Sequence, residues 1–195
     1  MSNTDRVNGF KPVKYVSGAP YNGQCMRFYH AAGTTVTHDL AVGDLVTFSG
    51  TSNAVGVPGA VIATAGTGNA CLGSIVAIEP QPSHLDRASW IDGADAGYIQ
   101  VATDPMLIFE AQANAAVAIT AVGRNAPMVQ TSATSRTTGA SGQECNATSS
   151  STASDQLKIV GIVQRADNTV NSTDNKVLVI INNHLFKGGT GSAAV

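Results

Sequence analysis

Short runs of β-branched and aromatic residues, each stopped by Gly, Pro, Asn or Asp, recur along most of the chain. CMRFYH (25–30), DLVTF (44–48), GAVIATA (59–65) and CLGSIVAIE (71–79) follow one another closely. Runs of this length between turn residues predict β-strands. GYIQVATDPMLIFEAQ (97–112) predicts two more, divided near Asp104-Pro105, because proline cannot donate to a sheet ladder. QLKIVGIVQRA (156–166) and NKVLVIINNHLF (175–186) close the series. In the last, the unbroken run from Val177 to Ile181 predicts a strand buried on both faces. Only NAAVAITAVGRNA (114–126) has the alanine content of a short helix. The pattern predicts an all-β fold, a single β-barrel or β-sandwich domain with at most one short helix.

Three stretches break the pattern. Residues 1–24 alternate turn signals (Asn8-Gly9, Ser17-Gly18, Pro20, Asn22-Gly23) with small apolar pieces and show no clean strand alternation. They predict an extended N-terminal arm or a pair of edge strands, preceding a β domain over 25–195. Residues 83–96, which hold the single tryptophan, Trp90, predict a long surface loop. From Thr131 to Ser154 nearly every residue is small and polar, which predicts a surface loop or an extended segment laid on a partner.

Composition sharpens the picture. Charged residues make up 12 % of the 195 and hydrophobic ones 43 %, so the chain folds but lacks the charged coat of a free-standing monomer. The net charge of −2 hides an asymmetry. Arg6, Lys11, Lys14 and Arg27 face only Asp5 within the first 30 residues, while acids dominate from 31 to 110. A basic head on an acidic body suits docking against an acidic partner or another copy. Nucleic-acid binding needs a denser basic surface, and none is present.

Candidate chemistry adds little. Cys25, Cys71 and Cys145 lack metal-ligand spacing; Cys25 and Cys71 sit in apolar runs and read as small buried hydrophobes. His30, His38 and Asp39 are close in sequence but form no metal or acid–base motif. GTGNACLG (66–73) fails the spacing of a dinucleotide loop and reads as a hairpin turn. A glycosidase needs two carboxylates across a cleft, for which Glu79 and Glu110 are candidates in principle. No catalytic, cofactor or metal site is assigned. The start of the chain lacks a secretory h-region, and no apolar run reaches the ~18 residues of a membrane span.

Taken together, RVNGFKPVKYVSGAPYNGQ, VGDLVTFSG, LGSIVAIEP, VATDPMLIFEAQ, QLKIVGIVQRADN and KVLVIINNHLF resemble a group of tailed-bacteriophage capsid decoration, or cement, proteins. The resemblance implies a non-enzymatic virion protein on the capsid surface, assembled in the host cytoplasm. It also implies no cofactor, substrate, nucleic acid or membrane, and contacts to the major capsid protein and to other copies. Cations Arg6, Lys11 and Lys14 and aromatics Phe10, Tyr15 and Tyr21 of the arm are the expected partner-binding residues. A head–tail connector, tail-tube or fibre-base component is the nearest alternative. A carbohydrate-binding or hydrolytic β-sandwich is the other, and it predicts an aromatic-lined cleft with acids.

Overall fold

The computed structural model describes residues 3–33, 39–130 and 134–188. In chain order the strands are β1 (Lys11–Tyr15), β2 (Met26–His30), β3 (Leu40–Ala41), β4 (Leu45–Ser52), β5 (Pro58–Ile62), β6 (Gly73–Ile78) and β7 (Trp90–Ile91). There follow β8 (Gly97–Ala102), β9 (Leu107–Gln112), β10 (Asn125–Ala126), β11 (Met128–Gln130), β12 (Gln143–Cys145), β13 (Leu157–Ile162) and β14 (Lys176–Ile181). Among the described residues, helix is confined to two three-residue 3-10 turns, Ile119–Ala121 and Leu185–Lys187. The fold is all-β.

Two bodies of sheet pack together around two apolar clusters. Strands β2-β5-β4-β6-β8 close a barrel, and β1-β9-β14-β13-β10 form an antiparallel sheet. Alternation sends Phe28 and His30 of β2, Val46 of β4 and Ile99 and Val101 of β8 into the barrel, where Leu40, Leu72, Ile75 and Ile91 join them. The sheet buries Leu107, Phe109 and Ala111 of β9 with Val177, Val179 and Ile181 of β14 and Leu157 and Ile159 of β13. Leu45, Ala63, Cys71 and Ala102 from the barrel side pack into this same cluster. Barrel and sheet therefore bury each other.

Buried amide side chains join the irregular segments to this frame. Gln156 accepts from the Gly66 and Met128 N–H groups and donates to the Thr64 carbonyl, at 2.9–3.1 Å. Asn175 exchanges two 3.0 Å bonds with the Val117 backbone, and Asn168 holds the Val163 and Lys176 carbonyls. Each amide stands in for a missing strand partner, as a buried backbone group requires.

Several expectations change. The 114–126 run is not a regular helix, since extended residues flank the single turn at Ile119–Ala121. Its Val117 and Ala121 reach the core, and that burial overrides alanine's helix preference. β14 alternates buried and half-buried positions, so it covers the core with one face only. Residues 66–73 do not turn a hairpin: β5 and β6 both pair with β4, on opposite sides. Cys25 is exposed, whereas Cys71 and Cys145 are buried, their thiols pushed up to about 12 by burial. The 83–96 loop contributes β7, which pairs with β3.

The 131–154 tract departs furthest from a surface loop. Residues 131–133 lie outside the described residues, but Thr134, Ser141, Gln143, Glu144 and Cys145 are buried. β12 pairs with β11, and Gln143 accepts the Leu45 N–H at 2.6 Å. Arg136 donates twice to Asp39, at 2.6 and 3.0 Å, and Thr134 donates to the Asp39 carbonyl. Polar side chains satisfy one another here, so the tract is ordered without apolar content.

Candidate interaction surface

The N-terminal segment is part of the domain. Asn3 donates to the Thr169 and Thr173 carbonyls at 3.0 and 2.8 Å, and the Arg6 N–H donates to Gln112 Oε1 at 2.8 Å. Phe10 is 0 % exposed, its N–H bonded to the Gly43 carbonyl and its carbonyl accepting from Ser74 Oγ. Expecting Phe10 to fill a partner's pocket is therefore corrected: it fills this domain's own core. The extended arm is corrected with it and the edge-strand reading holds, because β1 is an edge strand of the sheet, paired with β9, and Lys14 bridges Pro20.

Beyond β1 the chain doubles back. The Tyr15 N–H donates to the Ala19 carbonyl at 2.8 Å and the Tyr21 N–H to the Val13 carbonyl at 3.0 Å, making a tight hairpin. Tyr15 and Tyr21 are half-buried against the core. Their hydroxyls are used locally, Tyr15 donating to Gln24 Oε1 at 3.2 Å and Tyr21 to the Gln24 carbonyl at 3.0 Å. Burial also raises the Tyr21 hydroxyl's pKa. Both rings rivet the hairpin to its own domain.

The side chains that remain outward are different ones. Val13 is 40 % exposed, Val16 55 % and Met106 51 %; the Val16 N–H donates to the Met106 carbonyl at 2.9 Å, placing those two together. Lys14 is exposed on the same hairpin. Sequence reasoning passed over Val16 and Met106, although an apolar residue directly beside Ser17-Gly18 or Asp104-Pro105 has little chance of burial in a turn.

Arg6 and Lys11 open onto a cleft of about 420 Å³ bordered by Val13, Glu110, Arg165 and Lys176. Cross-strand register builds it: Lys11 lies opposite Glu110, and Glu110 opposite Leu178, in one outward row of the sheet. Arg165 grips Glu110 through two bonds of 2.9 and 2.8 Å and reaches Asp167 at 3.0 Å. Lys176 meets Asp167 at 2.5 Å, and these two cations hold the Asp167 carboxyl down to about 2. No ion pair among the described residues engages Arg6, Lys11 or Lys14.

The acidic middle of the chain is largely answered from within. Arg27 pairs with Glu79, Arg87 with Asp95, Arg136 with Asp39 and Asp92, and Arg165 with Glu110. Of the basic residues in the first 30, Arg27 is thus engaged, while no ion pair among the described residues engages Arg6, Lys11 or Lys14. Glu79 and Glu110 are not brought together as a catalytic pair, since each serves its own arginine on a different body of sheet. His30 lies inside the barrel, its Nδ1 3.3 Å from the Ala60 carbonyl, and His38 lies outside the described residues. No helix is long and apolar enough to cross a membrane among the described residues.

Fold and surface together define an all-β protein, a five-stranded barrel backed by a five-stranded antiparallel sheet, with a rigid apolar-and-basic hairpin at the sheet's edge. No protein-family model, curated protein or solved structure matches the chain.

Proposed function

We propose that the protein is a structural virion component that binds the outside of a bacteriophage capsid and bridges neighbouring major capsid subunits. The observation that carries this reading is the edge hairpin. It exposes Val13, Val16 and Met106 together with Lys11 and Lys14, Arg6 lies on the adjoining cleft, and its own tyrosines tie it down through Gln24 and the core. A pre-ordered surface loses little entropy on docking, its apolar tip supplies contact energy, and its cations steer it to acidic ground. The low share of charged residues and the resemblance of its strand-and-turn phrases to capsid decoration proteins support the same reading.

Copy number is the test. Gel densitometry of purified virions should find the chain in the hundreds per particle, in fixed proportion to the major capsid protein. A ring of about a dozen copies would instead indicate a head–tail connector. Absence from the particle would overturn the proposal.

A further inference from the structure

We infer that a second cavity, on the outer wall of the barrel, binds a neutral saccharide unit. This goes beyond capsid coating and does not rest on it. The cavity measures about 410 Å³, inside the roughly 300–1,000 Å³ span of small-molecule pockets. Tyr29 of β2 and Tyr98 of β8 form one wall; Pro80, Pro82, Ser83 and His84 follow β6 along another.

The tyrosine wall is held unusually firmly for a surface feature. Tyr29 and Tyr98 are directly opposite across two antiparallel strands, with ring centroids 5.5 Å apart. The Arg27 guanidinium lies 3.7 Å over the Tyr98 ring and donates two bonds, 2.7 and 2.6 Å, to Glu79. Gln100 donates to the same carboxylate at 2.7 Å, and Asn53 donates to the Tyr98 hydroxyl at 3.0 Å. The Arg27 bonds hold the Glu79 pKa below its usual value, so the carboxylate is ionised and fixed in place. A ring platform with fixed acceptors beside it is how a binding site is pre-organised.

The chemistry of the lining selects the ligand. No lysine or arginine lines the cavity, whereas Glu79 and Asp95 do, which disfavours phosphates and other anions. Both carboxylates already have arginine partners, so an incoming cation gains little from them. They retain acceptor capacity for hydroxyl donors. A sugar answers both features: its C–H face stacks on tyrosine and its hydroxyls donate to Glu79 and Asp95. A proline-rich peptide would stack equally well, but proline has no N–H to offer the two acids. The aromatic cleft with acids foreseen for a carbohydrate-binding protein is therefore present, although its aromatics are tyrosines.

Saturation-transfer NMR on the full chain tests the inference, with glucose, galactose, mannose and N-acetylglucosamine as probes and a decaproline peptide as the competing arm. At least one sugar should receive saturation. Tyr29→Ala and, separately, Ala96→Trp, which fills the cavity from an exposed position, should each weaken it at least about tenfold. Should Tyr29→Ala lower the melting temperature, Ala96→Trp decides alone. Absence of transfer to all four sugars, binding indifferent to a filled cavity, or occupancy by decaproline alone would each overturn the inference.

Discussion

Gly9 and Gly43 meet where the N-terminal segment enters the core, and both have positive φ, +63° and +98°. A Cβ on Gly9 would stand 2.3 Å from the Gly43 carbonyl oxygen, so the backbone itself blocks any side chain. Gly9→Ala should cost about 2–3 kcal/mol in urea unfolding, the sum of φ strain and a forced backbone shift. Next to this crossing Asp44 is fully buried, accepting from the Ala41 N–H at 2.7 Å and from the Ser141 hydroxyl. Burial pushes its carboxyl up to about 7. An acid raised in this way takes up a proton more readily folded than unfolded. Its contribution is complete below the ordinary carboxyl range near 4 and is lost as pH rises through 7. His184 acts in the opposite sense: burial, then Lys187, lower it to about 4, so its contribution fades as pH falls from about 6.5. Unfolding free energies measured from pH 4 to 8 should show Asp44→Asn gaining on the parent toward pH 8. His184→Asn should gain on it toward pH 4.

At the scale of elements, the N-terminal segment behaves as a structural strand that also carries the proposed contact surface. Phe10→Ala should cost about 3–5 kcal/mol, as truncation of a fully buried aromatic does. Deleting residues 2–24 removes Phe10 and edge strand β1 together and should leave no cooperative thermal transition. An intact, soluble, cooperatively melting remnant would contradict the packing described for this segment. Val16→Asp separates the two roles, because Val16 is exposed and makes only backbone bonds to Met106. It should leave the melting temperature unchanged while reducing capsid co-sedimentation at least tenfold, a typical loss for a central apolar contact of about 1.4 kcal/mol or more. The 134–154 segment shows how a polar tract becomes structural: Gln143 ties it to Leu45 of β4 and Arg136 to Asp39, just before β3.

For the whole molecule, Arg6, Lys11 and Lys14, which no ion pair among the described residues engages, supply the proposed steering charge at the sheet's edge. Replacing Arg6 and Lys11 together by glutamate should slow association with capsids, most strongly at low salt, with a smaller effect on dissociation. Association rates measured by surface plasmon resonance at two ionic strengths check this. Identical salt slopes for variant and parent would place the contact elsewhere on the surface.

The sequence by itself determined the β class and the approximate places of the long strands, because period-two burial and turn residues are local properties. It also determined the sparse charge of the surface. Tertiary structure decided the rest. Phe10 and Tyr15 look alike as aromatics in a turn-rich stretch, yet the sheet's edge swallows one and half-covers the other. The polar run after Thr131 carries no apolar signal, and only its amide and carboxylate partners from distant strands explain its burial. The cleft around Glu110, Arg165 and Lys176 and the wall of Tyr29 and Tyr98 exist only through strand register. Cross-strand neighbours are set by how strands pair in space, and that pairing leaves no trace in the linear order of residues.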